Sequence, residues 1–491
     1  MTDDAPPALY TAQQVRELDR RAIEEHGIDA YGLMSRAGAA AFAALATRWP
    51  AAGRVAVLCG PGNNGGDGYV IARLARERGL VVDLYPFADP QALEGAAGRA
   101  WEALAAAGVQ PRGFEARELS EADVVVDALL GTGLTRPVQG RLKSVIEAVN
   151  RCGVPVLAVD IPSGLAADTG NPLGAAVQAA CTVTFIGRKR GLYTAAGPDY
   201  AGTVVFASLD LPAGVYAGVS SRVLLNTGAG TGLGPRARSA HKGMNGHVLV
   251  VGGDAGTVGA VRMAGEAALR TGAGLVSIAT RTAHATLLAA VRPELMPHGV
   301  EDVADLRPLL ERATVVALGP GLGQGAWGRL MLQTVLGARQ PLVVDADGLN
   351  LLARQPRTRE NWVLTPHPGE AGRLLGCGAG EVQQDRFAAV RRLSEGFGAV
   401  AVLKGAGTLV HDTRGAVTVC ARGNPGMASG GMGDVLTGVI AALMAQGLDP
   451  AAAARAGVCV HGAAGDRAAR AGERGLLAGD LIGELRELVN A

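Results

Sequence analysis

The stretch RVAVLCGPGNNGGDGYV at residues 54–70 sets a pattern that recurs along the chain. Its first six residues predict a buried strand, and a Gly/Asn-rich loop then leads into a helix predicted from about Tyr69 to Arg78. Further strands are predicted at 80–85, 123–127, 154–159, 181–186 and 203–206, and further helices at 11–26, 32–48, 91–107 and 140–151. Near-continuous apolar strands that alternate with helices predict a parallel sheet covered on both faces.

Residues 210–237 interrupt this alternation because they are rich in Gly and have little periodicity. From His247 the strand–helix alternation resumes, and helices are predicted at 257–272, 433–447, 450–471 and 479–489. A chain of 491 residues is also too long for one ordinary core. We therefore predict two α/β domains, 1–215 and 236–491, joined by a linker at 216–235.

The composition excludes several classes of protein. Hydrophobic residues make up 48% and charged residues 19%, with Lys+Arg 46 against Asp+Glu 45, which argues against a disordered chain and against nucleic acid held by bulk charge. The cysteines form no CxxC pair, so reduced thiols are expected. The first ten residues, MTDDAPPALY, lack the apolar segment of a signal peptide, and the longest apolar run, Val435–Gly447, is too short to span a bilayer. We expect a cytoplasmic protein with no membrane or nucleic-acid partner.

Lysine is rare in this chain and its positions are therefore informative. Only four of the 46 basic residues are lysine, so arginine has replaced lysine wherever a generic cation suffices. Lys143 lies in an ordinary helical segment, whereas Lys189, Lys242 and Lys404 fall within the motifs described below. The lysines in the motifs mark places that need a compact ammonium group.

Polar residues follow three strands of the predicted N-terminal sheet. The loop PGNNGGDG at 61–68 does not match GxGxxG, which disfavours an ordinary hydride-transfer site. Asp67 in that loop is either a helix cap or a ligand of a ribose hydroxyl. Asp127 and Asp160 each end a strand, and each alone is equally a helix cap or a loop stabiliser. Together with Asn64 and Ser163, they offer the hard oxygen ligands that suit potassium or magnesium.

The motifs NNGGDG, DALLGTG and DIPSG, in this order, resemble the epimerase domain of the NAD(P)H-hydrate repair enzymes over roughly residues 10–210. The resemblance implies a potassium ion held by Asn64, Asp127 and Ser163, and Asp160 at the reactive carbon. FIGRKRGL at 185–192 corresponds to a family segment that places Lys189 near the site, so Asp160 and Lys189 are expected to form an acid/base pair, with the direction of proton transfer open. The implied substrate contacts are Asn63, Asn64, Gly65, Gly66, Asp67, Gly131, Thr132, Gly133, Leu134, Thr135, Arg136 and Pro137.

The C-terminal half carries its own polar strand ends. In TPHPGE at 365–370 two prolines flank His367 and keep the backbone extended, although a single loop histidine is often incidental. KGAGT at 404–408 is typical of a phosphate-binding loop, but it does not match the Walker A sequence. In GNPGMASGGMGD at 423–434 the glycines open a long apolar helix and predict an anion hole. Asp434 in its first turn either stabilises the helix or removes a proton from an attacking hydroxyl.

GMGD before a helix resembles the anion hole of ribokinase-like phosphotransferases. The full set of motifs is similar to the ADP-dependent dehydratase domain of the same repair family over roughly residues 235–490. The set consists of HKGMNGHVLVVGG at 241–253, which contains Lys242, GPGLG at 319–323, TPHPGE, KGAGT and NPGMASGGMGDVLTG. One departure is Thr257, where the family commonly carries an aromatic residue. The resemblance implies nucleotide binding by Lys404, Gly405, Ala406, Gly407, Thr408 and Gly433, and contacts to the hydrated nicotinamide nucleotide from Ala260, Gly323, His367 and Asp434.

The two resemblances imply an N-terminal Rossmann-like three-layer αβα domain followed by a C-terminal ribokinase-like α/β domain. They imply an enzyme that epimerises the R and S forms of hydrated NADH and NADPH and dehydrates the S form with ADP, giving NAD(P)H, AMP and phosphate. Potassium is expected at the epimerase site, magnesium with ADP, and a homo-oligomer. The alternatives are a ribokinase-like vitamin or sugar kinase with a non-catalytic N-terminal domain, and a binding scaffold, which the retained polar residues disfavour.

Overall fold

The computed structural model describes residues 8–228, 230–412, 414–415 and 417–490. The chain divides into two compact units, Met1–Val223 and Leu224–Ala491. The division lies inside the range 216–235 that was predicted to be a linker. Residues 1–7, which belong to the segment predicted to lack a signal peptide, lie outside the described residues.

The N-terminal unit is built on a six-stranded sheet in the order β3-β2-β4-β5-β6-β8, in which every pairing is parallel. Two short strands, β1 and β7, pair separately. The predicted parallel sheet is thus confirmed. The strands are β1 Leu9–Tyr10, β2 Arg54–Cys59, β3 Val81–Pro86, β4 Val124–Ala128, β5 Val156–Val159, β6 Cys181–Phe185, β7 Arg188–Lys189 and β8 Thr203–Ala207.

Successive residues of β2 face two different cores, which makes the unit three-layered. Val55 and Val57 pack in a core with residues of the first four helices, whereas Ala56 and Leu58 pack on the other face with the fifth helix. This is the side-chain alternation of a strand that is covered on both sides. The helices are α1 Ala12–Arg20, α2 Ala30–Arg48, α3 Asn63–Glu77, α4 Gly95–Ala106, α5 Gly140–Arg151, α6 Gly197–Ala201 and α7 Ala213–Tyr216.

Two helix predictions were wrong at their starts. The helix predicted from about Tyr69 begins six residues earlier, at Asn63, so most of the predicted glycine loop is helical. The helix predicted at 91–107 begins only at Gly95, after a single turn of 3-10 helix at Pro90–Ala92. The segment predicted as one helix at 11–26 is α1 followed by a π-helical turn at Arg21–Glu25.

The C-terminal unit contains a ten-stranded sheet in the order β12-β11-β10-β13-β14-β15-β16-β17-β18-β9. Its first seven strands pair in parallel, and β16, β17 and β18 pair antiparallel. β9 lies at the start of this unit, in the segment predicted as linker. The strands are β9 Val223–Asn226, β10 His247–Val251, β11 Leu275–Thr280, β12 Met296–Gly299, β13 Val315–Leu318, β14 Leu342–Val344, β15 Trp362–Leu364, β16 Val400–Leu403, β17 Thr408–His411 and β18 Val417–Cys420.

A mostly parallel sheet with helices packed on it confirms the predicted α/β class of this unit. The main core joins β10, β11 and β13 to helices α8, α16, α17 and α18. Within the described residues, no helix is long and apolar enough to cross a membrane. The helices are α8 Val258–Thr271, α9 Thr282–Val291, α10 Val303–Arg312, α11 Ala326–Leu336, α12 Ala346–Arg354, α13 Pro368–Leu375, α14 Ala379–Gln384, α15 Arg386–Phe397, α16 Met432–Ala445, α17 Pro450–Ala468 and α18 Ala478–Leu488.

Candidate functional site

A cavity of about 550 Å³ lies at the carboxyl ends of the N-terminal strands, where open parallel sheets bind their ligands. It brings together residues that are far apart in the sequence. Of the predicted substrate contacts, Gly65, Gly66 and Pro137 do not line it. Those that do are Asn63, Asn64, Asp67, Gly131, Thr132, Gly133, Leu134, Thr135, Arg136 and Asp160, together with Lys189.

Asp160 and Lys189 form an ion pair in this cavity. The Lys189 ammonium donates to Asp160 Oδ1 and to the Phe185 carbonyl at 2.9 Å, and its side chain is only 1% exposed. Asp160 has φ 68°, a left-handed conformation that is costly for a residue with a Cβ. The Asp160 carboxylate also accepts from the Phe185 amide at 3.2 Å. The strand end therefore holds the carboxylate over the ammonium in a fixed geometry.

Two further carboxyl groups face the same ion pair. Burial raises the pKa of Asp19 to about 6, against the opposing effect of Lys189. Burial and the neighbouring charges of Asp160 and Asp19 raise the pKa of Asp67 well above its ordinary range. Asp19 lies on α1 and lines the cavity, but the sequence analysis missed it. Because its helix precedes every motif, no local pattern marks it.

The residues predicted to hold potassium lie at three neighbouring places: Asn64 at the start of α3, Asp127 near the end of β4 and Ser163 in the loop after β5. Asp127 is 1% exposed and accepts from the Ser163 hydroxyl at 2.5 Å and the Ser163 amide at 2.8 Å. Burial raises the pKa of Asp127 to about 6. Both polar atoms of the Asn64 amide are buried and have no hydrogen-bond partner among the described residues. Asn64 also lines the cavity, so this unpartnered amide is placed where a ligand can reach it.

Gly65 and Gly66 permit close packing of α3. A Cβ on Gly65 would lie 2.1 Å from the Gly60 carbonyl oxygen, and a Cβ on Gly66 would lie 2.6 Å from the Met34 side chain. Both residues are buried inside the helix. Their absence of a side chain lets the N-terminus of α3 sit close to the end of β2. The glycines thus position Asn63 and Asn64 at the cavity.

In the C-terminal unit, Asp434 is the third residue of α16 and lies partly buried beside other charges. Burial and the nearby carboxylates of Asp345 and Glu370 raise its pKa to about 7, although Lys404 acts in the opposite direction. The helix cap is Gly431, with φ 91°. A carboxyl group whose chief role was to stabilise a helix terminus would have a lowered pKa. The environment of Asp434 suits a base that works near neutral pH.

The Lys404 side chain brings the KGAGT and GMGD motifs into contact. Its ammonium lies 2.7 Å from Asp345 Oδ1 and 3.8 Å from Glu370 Oε2. Burial opposes the charge on Lys404, but Asp345 and Glu370 outweigh it and raise its pKa. A Cβ on Gly433 would lie 3.1 Å from the Lys404 ammonium, so this ammonium packs closely against the start of α16. A fixed cation thus lies beside the amides of the predicted anion hole.

Asp345 and Arg386 support Lys404 and its loop, and the sequence analysis named neither as a site residue. Asp345 is 1% exposed and also accepts from the Thr437 hydroxyl at 2.9 Å. Arg386 is 1% exposed and donates to the carbonyl groups of Leu403 and Lys404 at 3.1 Å. The loop itself is the turn between β16 and β17, where Gly405 has φ 129° and the Thr408 hydroxyl donates to the Gly405 carbonyl at 3.0 Å.

His367 is held in place by its own helix. It caps α13 with extended backbone angles (φ −77°, ψ 167°), and its Nδ1 accepts from the Gly369 amide at 3.0 Å. Burial and the charges of Lys404 and Arg373 lower its pKa, so the ring is neutral at pH 7. Because Nδ1 accepts, the neutral ring carries its proton on Nε2. Nε2 lies 3.5 Å from Glu370 Oε1, so this donor faces the Glu370 carboxylate. The prediction that the backbone of His367 is extended is confirmed.

The remaining predicted contacts lie on neighbouring loops. Ala260 is in the first turn of α8, and Gly323 follows β13 with φ 70°. A Cβ on Gly323 would lie 2.7 Å from the Asp254 carboxylate, in the loop that precedes α8. The Thr257 hydroxyl donates to the Asp254 and Gly321 carbonyl groups at 2.9 and 2.8 Å. Thr257, the departure from the family pattern, thus links these two loops.

Comparison with known proteins finds a matching family model for each half of the chain. Residues 30–191 match the family model described as YjeF-related protein N-terminus, and residues 248–487 match the model described as NAD(P)H-hydrate dehydratase. The chain is 52% identical to the bifunctional NAD(P)H-hydrate repair enzyme Nnr of Coxiella burnetii over 98% of this chain and 99% of that protein. It is 46% identical to the enzyme of the same name from Escherichia coli, over 99% and 94%. This chain belongs to the bifunctional NAD(P)H-hydrate repair enzymes.

The likeness to the repair enzymes covers both units, so the alternative of a vitamin or sugar kinase with a non-catalytic N-terminal domain is not favoured. Among solved structures, the ADP/ATP-dependent NAD(P)H-hydrate dehydratase from Bacillus subtilis, co-crystallised with ATP and Mg²⁺, is 29% identical, with a TM-score of 0.48 over 52% of this chain and 94% of that chain. The cavity that holds Asp160 and Lys189 lies within the first family match, and the cluster of Asp434 and Lys404 lies within the second.

Proposed function

We propose that this chain restores hydrated NADH and NADPH in two steps, epimerisation in the N-terminal unit and ADP-dependent dehydration in the C-terminal unit. The observation that carries the proposal for the second step is the position of Asp434, a carboxyl group with a pKa of about 7 in the first turn of α16. It lies beside the Lys404 ammonium and the amides of the helix N-terminus. A base and an anion-binding site side by side suit phosphoryl transfer to a hydroxyl group.

In the dehydratase step, Asp434 takes the proton of the ring hydroxyl, and the hydroxyl oxygen attacks the terminal phosphorus of ADP. The bond from that phosphorus to AMP breaks, and AMP leaves. The ring nitrogen lone pair then breaks the bond between the ring carbon and the ester oxygen, and phosphate leaves. Loss of a proton from the adjacent ring carbon gives NAD(P)H. The amides of α16 and the Lys404 ammonium stabilise the charge on the transferring phosphoryl group. The half-exposed His367 side chain contacts the hydrated nucleotide from the N-terminus of α13.

Magnesium is proposed to accompany ADP and to neutralise phosphate charge when it is bound. The described residues contain no group of three or more His, Cys, Asp or Glu side chains arranged to hold a metal ion. This fits an ion that is held mainly by the phosphates and water, as Mg²⁺ commonly is. The protein's part is then to hold the phosphates with Lys404–Thr408 and Gly433.

In the epimerase step, Asp160 and Lys189 move the protons that loss and return of the ring hydroxyl require. The φ of 68° at Asp160 and the burial of Lys189 keep the pair aimed into the cavity. Burial and the neighbouring carboxylates raise the pKa of Asp67, which favours its protonated form, and a protonated Asp67 donates a hydrogen bond to the substrate. Asp160, Lys189 and Asp67 therefore provide both donors and acceptors around the reacting carbon.

Potassium fits the residues predicted to hold it. The Asn64 amide oxygen is buried without a partner among the described residues, and the Asp127 carboxylate is buried without a cation. Oxygen ligands of this kind suit a hard cation. Asn64, Asp127 and Ser163 would hold the ion, which would supply positive charge for the anionic substrate. The three residues themselves hold the start of α3 and the loop after β4 in position.

The experiment that tests the dehydratase assignment is a product balance. Purified protein is mixed with hydrated NADH and ADP, and we expect NADH, AMP and phosphate to appear in equal amounts. A phosphorylated nicotinamide product that accumulates without NADH would instead identify a kinase. Replacing ADP by ATP in a parallel reaction determines the donor. The cytoplasmic location and the homo-oligomer remain predictions from the sequence.

A further inference from the structure

A second concave site in the C-terminal unit lies beside the residues discussed above. It has a volume of about 450 Å³ and is lined by Gln324, Asn350, Ala353, Arg354 and Arg373. These residues come from the loop after β13 and from helices α12 and α13. The two arginines give the site its chemical character, and none of the roles assigned above uses them.

The site adjoins the proposed position of the hydrated nucleotide on two sides. Gln324 directly follows Gly323, which is one of the proposed substrate contacts. Arg373 lies six residues along α13 from the cap His367, about 9 Å along the helix axis. The charge of Arg373 also contributes to the lowered pKa of His367. A substrate that contacts Gly323 and His367 can therefore extend into this site.

The two guanidinium groups are held in place by neutral amides. Arg373 Nε donates to Asn350 Oδ1 at 2.8 Å, and Arg354 Nη2 donates to Gln324 Oε1 at 2.6 Å. Among the described residues, neither arginine forms an ion pair with a carboxylate. The nearby Asp347 accepts instead from the Gly323 amide and the Gln324 side chain, both at 3.0 Å. Two oriented guanidinium groups, neither of them in a direct ion pair among the described residues, thus line one concavity, although the charge of Arg373 also acts on the Glu370 carboxyl.

We propose that Arg354 and Arg373 bind a phosphate group of the hydrated dinucleotide, an inference that rests on the proposed dehydratase function. Guanidinium groups with free donors match phosphate oxygens in geometry and charge. The phosphates of ADP have their own proposed site at Lys404–Thr408 and the start of α16. The group bound here is therefore the dinucleotide's pyrophosphate or the 2′-phosphate that distinguishes NADPH from NADH.

The test compares Arg354→Gln and Arg373→Gln with Arg354→Lys, which keeps the charge. Arg270→Gln is the matched control, because Arg270 is an exposed cation in the last turn of α8, at the opposite end of that helix from Ala260. We expect each Gln variant to raise the KM for hydrated NADPH about tenfold, the loss of one charge-assisted contact. The KM for ADP should stay unchanged. Arg354→Lys should fall between wild type and Arg354→Gln.

Comparison of the KM values for hydrated NADPH and hydrated NADH shows which phosphate group of the dinucleotide the arginines bind. If the KM for hydrated NADPH alone rises, the arginines bind the 2′-phosphate, and if both substrates are affected equally, they bind the pyrophosphate. Unchanged KM values for both dinucleotides, or a rise confined to ADP, would overturn the proposal. Should the wild-type protein fail to dehydrate either substrate, the proposed function fails, and the affinity of wild type and variants for NADPH still tests the phosphate site.

Discussion

Asp434 is a carboxyl group placed where ionisation is difficult. Burial and the carboxylates of Asp345 and Glu370 raise its pKa to about 7, while Lys404 limits the rise. A base with this pKa is deprotonated in much of the protein at neutral pH and still binds a proton strongly. The proposed transfer of a proton from the ring hydroxyl depends on both properties.

Replacement of Asp434 by Asn removes that base and keeps the shape of the side chain. We expect Asp434→Asn to lower kcat for dehydration by roughly 10²–10⁴-fold, the usual range for a general base. Asp480→Asn is the matched control, because Asp480 is likewise the third residue of its helix, α18, and is exposed. Equal rates for the two variants in an assay of regenerated NADH would exclude Asp434 as the base.

The pH dependence follows from the same group. A base acts only when deprotonated, so kcat/KM for dehydration should fall as the pH drops below about 7, by roughly tenfold per pH unit. The folded protein binds this proton more tightly than the unfolded chain, so ionisation of Asp434 costs stability as the pH rises through about 7. A pH profile that stays flat down to pH 5 would contradict the assignment.

Asp345 keeps the Lys404 ammonium in place. Its carboxylate is 2.7 Å from Lys404 Nζ, and both groups are largely removed from water. We expect Asp345→Asn to lower the free energy of unfolding by about 3 kcal/mol, because it leaves a buried charge without its main partner. Denaturant titration measures this, and the KM for ADP should rise in the same variant. A loss below about 1 kcal/mol would mean that Glu370 alone satisfies Lys404.

The sequence predicted those residues of the site that lie in glycine-rich or proline-flanked motifs. Asp434, Lys404, Asp160 and Lys189 each follow or begin a regular element, and the loop chemistry around them is unusual. Asp345 and Asp19 were missed because their importance comes from contacts made across the fold. Asp345 is 59 residues from Lys404 in the sequence, and only the order of strands β14, β15 and β16 brings the two together.

At the scale of elements, α3 shows that tertiary packing can make a glycine-rich motif helical, although its composition predicts a loop. Glycines at 65, 66 and 68 suggested a loop that approaches a ligand, because glycine is a poor helix former. In the structure all three are buried inside α3 against β2, β4 and neighbouring helices. The tertiary contacts compensate for the low helix propensity. The helix start could not be predicted because those contacts are not local in sequence.

Gly65→Ala tests this interpretation of α3. A Cβ there would lie 2.1 Å from a backbone oxygen, so we expect a loss of about 3 kcal/mol or more in the free energy of unfolding. Gly32→Ala is the matched control, since Gly32 is also the third residue of its helix, and its Cβ would lie 3.5 Å from Asp29. Thermal unfolding of the two variants should separate clearly. Similar midpoints would contradict the packing role of Gly65.

The direction of the last strands was not predicted from the sequence, although the short turn before β17 is visible in it. Apolar runs at β16, β17 and β18 resemble the parallel strands before them, yet they pair antiparallel. The short turn at Lys404–Thr408 leaves no room for a crossover helix, which parallel neighbours require. That hairpin places Lys404 beside α16, and the strand reversal is therefore part of the dehydratase site.

At the scale of the whole molecule, each proposed reaction has its own sheet, core and polar strand ends. The epimerase residues all lie in Met1–Val223, and the dehydratase residues all lie in Leu224–Ala491. Two α/β domains were predicted from the sequence, because alternating apolar strands and helices are visible in it. The two reactions should therefore be separable by single substitutions.

The central claim is tested most directly with a mixture of both epimers of hydrated NADH. Wild type, Asp160→Asn and Asp434→Asn are each given this mixture with ADP, and the absorbance of the regenerated nicotinamide is followed to completion. We predict full recovery by wild type, recovery of only the S fraction by Asp160→Asn, and almost none by Asp434→Asn, which should still interconvert the epimers. Full recovery by Asp160→Asn at the wild-type rate, or loss of epimerisation in Asp434→Asn, would contradict the account.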